Sequence, residues 1–321
     1  MSDKALLQRF EDWRREGRQL VLATVASTAG STYTKPGHRI LIADSGDYEG
    51  LISGGCLEGD LAAHALQVIA TGEARVITYD LRGEADELFG LGIGCDGLLQ
   101  ILLQRLLPAN GYEPLSAISE VLRGDVPAHC AVVLADQGEL RIGTTLISAE
   151  GVFGQTDLAS ANVLYTQLRP LRRLLVLGAG VDAVPVVTLA DTLGWRVTVM
   201  DHRPGSLEQP GFARADSRIC APAVDLASQV ALHNFAAAIV MSHHLATDHS
   251  YLVALATSPI PYIGLLGPPG RRDRLLRELG DSAGALESRL HGPAGLDIGA
   301  DSPESIALSI LAEVHSFTRT R

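Results

Sequence analysis

The sequence predicts an α/β chain of two domains, a mixed α/β unit followed by a doubly wound parallel sheet. Three observations carry that expectation. The chain has 321 residues, above the roughly 250–300 at which single cores stop growing. From Leu171 onward, short apolar runs alternate with helix-like stretches, the rhythm of parallel strands joined by crossover helices. A G-x-G-x-x-A run follows the first of those apolar runs, where a phosphate-binding turn would sit.

The elements of the first half follow in order. "MSDKALLQRFEDWRREG" sets Leu6, Leu7, Phe10 and Trp13 at helical spacing behind Asp3 as candidate N-cap. It is amphipathic and charged, unlike a secretory signal, and no apolar run of about 18 residues follows anywhere. A surface helix of a cytoplasmic protein is expected. "LVLATVAST" from Leu20 reads as a buried strand, "STYTKPGH" as a loop, and "RILIAD" as a second strand closed by the turn Asp44–Asp47. "LEGDLAAHALQVIATG" is a helix ended by Gly72. "ARVITYD" and "LLQILLQRLL" are strands, "EPLSAISEVLRG" is a helix, and "CAVVLAD" with "LRIGTTLIS" resembles a hairpin around Gln137 and Gly138. Residues 1–150 are expected as one domain, 151–170 as a linker and 171–321 as the second domain.

In the second half, "RLLVLG", "WRVTVMD", "SRICAP", "AAAIVMS" and "PYIGLLG" are the strand candidates. Gly178, Gly180 and Ala183 form the fingerprint. The first permits a tight turn, the second lets a pyrophosphate approach the backbone, and the third lets helix pack on strand. Phosphate would then meet the unpaired amides of a helix N-terminus. Together these features predict a Rossmann-like fold. Asp201 ends the next strand, where an acid binds a ribose 2′-OH. It argues for NAD over NADP, and Arg203 beside it weakens that choice. "MSHHLATDH" then puts His243, His244, Asp248 and His249 at a strand's carboxyl end, bordering the ligand crevice. They could ligate a metal or shuttle protons, or form a solvated loop with Asp248 capping the next helix. In the last helix, Ser302 is the expected N-cap, Pro303 takes the first turn, and Ile306, Ile310, Leu311 and Val314 make the buried stripe. Asp297, in the glycine-rich run before it, is a candidate site residue.

The net charge of −11 argues against a broad nucleic-acid surface and against contact with anionic membranes. Four separated cysteines do not make a disulfide framework. Cys130 and Cys220 lie in apolar strand-like runs and are expected in the core. Cys56 and Cys95 lie in glycine beds, "ISGGCLEGD" and "GLGIGCDG". Gly54 and Gly55 imply tight turns or close approach of a ligand, and a helix start beside Cys56 favours its thiolate. Quiet thiols, a covalent nucleophile and a soft-ligand or sulfur-carrying site all stay open. A structural zinc site lacks the four clustered ligands it needs.

Four stretches carry a resemblance to a known family. They are "GSTYTKPGHRILI" with "GLISGGCLEGDL", then "GLGIGCDG", then "LLVLGAGVDAVPV" with "VTVMDHRP", and "HGPAGLDIGADSPESIALSILAEV". Across nearly the whole chain they resemble the XdhC/CoxI family of xanthine dehydrogenase accessory proteins. The resemblance implies a chaperone that binds the molybdenum cofactor, as molybdopterin or its cytosine dinucleotide form. It would support sulfuration of that cofactor and insert it into a molybdenum hydroxylase. The implied partners are the large subunit of the molybdenum hydroxylase and a cysteine desulfurase, and a homodimer is the default assembly. Carried over, Cys56 and Cys95 are the cofactor cysteines, Cys56 the candidate molybdenum contact. Gly178, Gly180 and Ala183 form the nucleotide-type loop, and His243 with Asp248 the post-strand pair. Asp96 departs from the family's glycine after Cys95. Two rivals remain: an NAD(P)-dependent oxidoreductase and a nucleotide-sensing regulator.

Overall fold

The computed structural model describes residues 2–55, 57–82, 97–153, 158 and 161–319. The chain divides into two compact units, Met1–Leu171 and Arg172–Arg321.

In the first unit, α1 (Asp3–Arg15) buries Leu6, Leu7, Phe10 and Trp13. Its cap is Ser2, whose hydroxyl accepts the Ala5 amide at 3.3 Å, so Asp3 is the first helical residue and not the expected cap. A five-stranded antiparallel sheet has the order β3-β2-β1-β5-β4. Its strands are β1 (Leu20–Gly30), β2 (Arg39–Ala43), β3 (Tyr48–Glu49), β4 (Arg75–Asp80) and β5 (Gly97–Leu106). Side chains alternate across a strand, and here both faces are covered. Val21, Ala23 and Val25 pack with Leu61, Ala65 and Val68 of α2 (Glu58–Thr71). Leu20 and Leu22 pack with α1 and with Leu115, Ile118 and Leu122 of α3 (Leu115–Arg123). That two-sided burial explains why β1 reads as a continuous apolar run instead of an alternating one.

A second antiparallel sheet runs β7-β6-β8, from β6 (Ala128–Val133), β7 (Thr145–Ser148) and β8 (Val163–Leu168). The hairpin expected around Gln137 is present as the β6–β7 pair, but β7 begins only at Thr145. The stretch 151–170, expected as a linker, contributes β8, which pairs with β6 from Ala128–Leu168 to Val133–Val163. Its strand signal is weak because Tyr165 and Gln167 are exposed.

The second unit is a six-stranded parallel sheet of order β11-β10-β9-β12-β13-β14. Its strands are β9 (Arg173–Leu177), β10 (Arg196–Asp201), β11 (Ser217–Cys220), β12 (Ala237–Val240), β13 (Ile263–Leu265) and β14 (Leu290–His291). Numbered from β9 as the first strand, this is the 3-2-1-4-5-6 Rossmann order, in which the strand order reverses between β9 and β12. One face packs on α4 (Ala183–Thr192) and α7 (Pro303–Arg319), with Ile310, Leu311 and Val314 buried as the stripe predicted. The other packs on α5 (Leu245–Ala256) and α6 (Pro269–Leu279). Cys130 is buried and Cys220 exposed. The latter corrects the expectation for Cys220: it ends β11, an edge strand whose residues are mostly exposed. No described helix is long and apolar enough to cross a membrane.

Candidate functional site

Two glycine turns, one in each unit, gather most of the candidate residues. In the first unit the turn is built around Glu58, in the first turn of α2. Its carboxylate is fully buried and folds back over the segment before it. Oε1 accepts the amides of Ile52 at 2.7 Å and Ser53 at 2.8 Å. Oε2 accepts the Ser53 hydroxyl at 2.7 Å and the Gly55 amide at 3.0 Å. The Ser53 hydroxyl in turn accepts the Leu57 amide at 2.8 Å. Burial would raise the Glu58 carboxyl, but the bonds from Ser53 and Ile52 overcome it and hold it below its ordinary value. Gly54 and Gly55 have φ of 87° and 111°, conformations that disfavour a side chain.

Cys56, the expected molybdenum contact, and Cys95 with Asp96 lie outside the described residues. Their flanks are described, and they meet at one end of the five-stranded sheet. The Thr34 hydroxyl donates to the Ile52 carbonyl at 3.1 Å. The Tyr79 hydroxyl, near the end of β4, donates to Asp60 in α2 at 2.7 Å. Asp80 pairs with Leu98 across β4 and β5, the strands between which residues 83–96 run. The segment before Cys56 and the two strands on either side of residues 83–96 are thus tied to the start of one helix.

In the second unit the turn follows β9. Gly178 has φ of 120°, and a Cβ there would lie 2.6 Å from the Met241 carbonyl oxygen and 2.7 Å from the Ser242 Cα. Only glycine lets the loops after β9 and β12 pass so closely. A Cβ on Gly180 would overlap Asp182 Oδ1. Ala183 opens α4 and is fully buried against the sheet, where a larger side chain would lever the helix away. Ala183 therefore has the packing that its sequence predicted.

Asp201, at the end of β10, is buried. Its Oδ2 accepts the Ala179 amide at 2.7 Å, and both oxygens engage the Arg203 guanidinium at 2.8 and 2.9 Å. Burial would raise this carboxyl, but the Arg203 side chain and the amides of Ala179 and Arg203 prevail and hold it at about 2.

His243 and Asp248, the post-strand pair of the resemblance, engage different partners. His243, in the left-handed region at φ of 61°, places Nε2 at 2.8 Å from Asp182 Oδ2 of the glycine turn. Asp248 is buried in the first turn of α5, where it accepts the Ser242 amide at 3.2 Å and two bonds from Arg271, at 2.6 and 3.1 Å. It does not cap α5 either. That role falls to His244, whose Nδ1 accepts the Thr247 amide at 3.4 Å. Among the described residues no group of three or more His, Cys, Asp or Glu is placed to hold a metal ion.

Asp297 is exposed and follows β14, whereas the fingerprint follows β9, so the sheet order separates them by two strands. The run before it is fixed by Glu313 of α7, which accepts the Tyr262 hydroxyl and the Gly295 amide, both at 2.6 Å, and lies 2.8 Å from His291 Nδ1.

Sequence reasoning missed Glu58, Asp182 and Glu313. An acid in the first turn of a helix was a readable signal for Glu58. Nothing local marked the other two.

Two family models match the chain: the XdhC Rossmann domain over residues 174–314 and the XdhC and CoxI family over residues 13–80. A Bacillus subtilis protein named as a probable xanthine dehydrogenase subunit is 32% identical, across 92% of this chain and 92% of its own length. An Escherichia coli protein named molybdenum cofactor insertion chaperone PaoD is 26% identical, across 94% of this chain and 84% of its own. A crystal structure of a Bacillus halodurans protein described as a xanthine dehydrogenase is 30% identical, with a TM-score of 0.81 over 100% of this chain and 97% of that one. On this similarity from end to end, the chain belongs to the XdhC and CoxI family.

Proposed function

We propose that this protein is a maturation chaperone. It takes up the molybdenum cofactor as cargo, supports its sulfuration, and inserts it into a molybdenum hydroxylase of the xanthine dehydrogenase or aldehyde oxidoreductase type. The observation that carries this reading is the nearly full-length similarity to a named molybdenum cofactor insertion chaperone, covering both units. The turn at residues 52–55 adds a physical rationale. Its amides are drawn onto Glu58, so the backbone that leads into Cys56 is fixed before any cargo arrives. A thiol there is a soft donor suited to a thiophilic metal or to sulfur. The second unit supplies a nucleotide site, for the dinucleotide part of an extended cofactor or for NAD(P). A cysteine desulfurase and the large subunit of the hydroxylase are the partners in this reading, which places a homodimer in the cytoplasm.

Purification from cells fed molybdate, with bound molybdenum and pterin measured by mass spectrometry, tests the proposal. Wild type is expected to retain both, and Cys56→Ser to lose most of the molybdenum. Loaded wild type should restore activity to the apo-hydroxylase. Equal retention by Cys56→Ser removes the thiol's role, and wild type free of molybdenum and pterin overturns the reading.

A further inference from the structure

We infer that the nucleotide site of the second unit recognises a phosphorylated ribose, so that it takes NADP(H) in preference to NAD(H), with Arg203 reading the 2′-phosphate. This deepens the nucleotide-site part of the proposed function and rests on it.

An acid at the end of the second Rossmann strand reads an unmodified ribose by accepting its hydroxyl protons. That requires free lone pairs and access, and Asp201 has neither. A carboxylate offers about four acceptor positions. Oδ1 takes the Arg203 amide and Nε, both at 2.9 Å. Oδ2 takes the Ala179 amide at 2.7 Å and Arg203 Nη2 at 2.8 Å. The Asp201 side chain is only 2% exposed. Its lone pairs are occupied by the protein, and the group lies under the surface.

What the end of β10 does present to solvent is cationic. The Arg203 side chain is 49% exposed. A guanidinium has five N–H donors, and Asp201 engages one on Nε and one on Nη2. The rest point away from the carboxylate. Because the bidentate pair locks the side chain, those donors are already oriented, and such a fork suits phosphate. His202, 52% exposed, sets Nδ1 3.4 Å from Asp201 Oδ1 at the same corner. The acid that normally selects an unmodified ribose here serves as the mount for the arginine that selects a phosphate.

Titration of the full-length protein with NADPH and NADH, followed by calorimetry, is the direct test. NADPH should bind at least tenfold tighter. In competition, 2′,5′-ADP should displace it at least tenfold better than ADP, which carries as many phosphates but none on the ribose 2′ carbon. Arg203→Ala should weaken NADPH binding at least tenfold and abolish its advantage over NADH. If that variant does not fold, the wild-type comparisons still decide. Equal or tighter binding of NADH, equal competition by the two diphosphates, or no binding of either dinucleotide overturns the inference. Molybdenum and pterin are measured on the same preparations. Their absence alongside a clear NADPH preference defeats the chaperone reading alone, and their presence without the preference defeats this inference alone.

Discussion

The two glycine turns solve one problem with different chemistry. Each is held by a buried carboxylate that accepts backbone amides. At residues 52–55 the Glu58 carboxylate takes three amides and a hydroxyl from the described residues, with no cation among those partners. After β9, Asp201 takes two amides and gives its remaining capacity to Arg203. The first anion is stabilised by the loop and in return shapes it. The second is neutralised by an exposed cation, and its loop is shaped mainly by steric contact with the neighbouring loop at Met241 and Ser242. The difference teaches that glycines in a similar sequence setting can be required for different reasons. Gly178 is required by space and by backbone together, Gly54 by backbone alone.

The chain has two tryptophans, and both are buried, Trp13 in the first unit and Trp195 in the second. Single-tryptophan backgrounds, Trp13→Phe and Trp195→Phe, therefore report one unit each in urea unfolding of the full chain. The largest effect is expected from Gly178→Ala. It combines a strained φ of 120° with a Cβ 2.6 Å from a backbone oxygen that cannot step aside. Strain and overlap together predict a loss of about 3–5 kcal/mol in the transition reported by Trp195. A loss under about 1 kcal/mol would mean that the loops after β9 and β12 yield easily, against the close approach at Gly178.

Glu58→Gln comes next, read through Trp13. The neutral amide keeps one acceptor oxygen but turns an NH2 group toward backbone N–H donors, which predicts a loss of about 2–3 kcal/mol at neutral pH. The sign of the pH dependence follows from the lowered carboxyl. Folding holds Glu58 below its ordinary 4.5, so its stabilisation is complete above that pH. It is lost as pH falls through the folded value. Wild type and Glu58→Gln should therefore converge in acid. A gap that stays constant from neutral pH downward would show that the charge contributes nothing and that only shape matters.

Much of this architecture was legible in the sequence. Burial on both faces writes uniform apolar strands, so β1, β9, β10 and β12 stood out, and Ala183 has the packing its position in the fingerprint implied. What stayed hidden depends on contacts across the sequence. Asp182 and His243 lie 61 residues apart, and no local pattern joins them. Asp248 looked like a cap because acids favour that position. The chain instead turns extended at His244, whose ring nitrogen takes the cap and frees Asp248 for Arg271. Cys220 looked like core because its run is apolar, but strand order is a property of the whole sheet, and β11 falls at the edge. Glu58 was hidden for a related reason. A sequence shows an acid in a first turn, and only the folded chain shows that it reaches back six residues to the Ile52 amide.

The smallest effect sharpens the comparison most. Gly54 shares the left-handed region with a φ of 87°, yet a Cβ placed there meets nothing within 4 Å. Gly54→Ala thus isolates the backbone term that Gly178→Ala mixes with overlap. An alanine in that conformation costs about 1 kcal/mol, so the transition reported by Trp13 should fall by that much. The loop should keep its shape, because the amides of Ile52, Ser53 and Gly55 still have Glu58 to meet. Combining Gly54→Ala with Glu58→Gln then asks whether strain and clamp are coupled. A clamped loop bears the strain in full, whereas a loop released from Glu58 relaxes and escapes part of it, so the double variant should lose less than the two single losses added together. Strict additivity would mean that Glu58 does not hold Gly54 in its strained form, and the account of this turn as a carboxylate-shaped loop would fall with it.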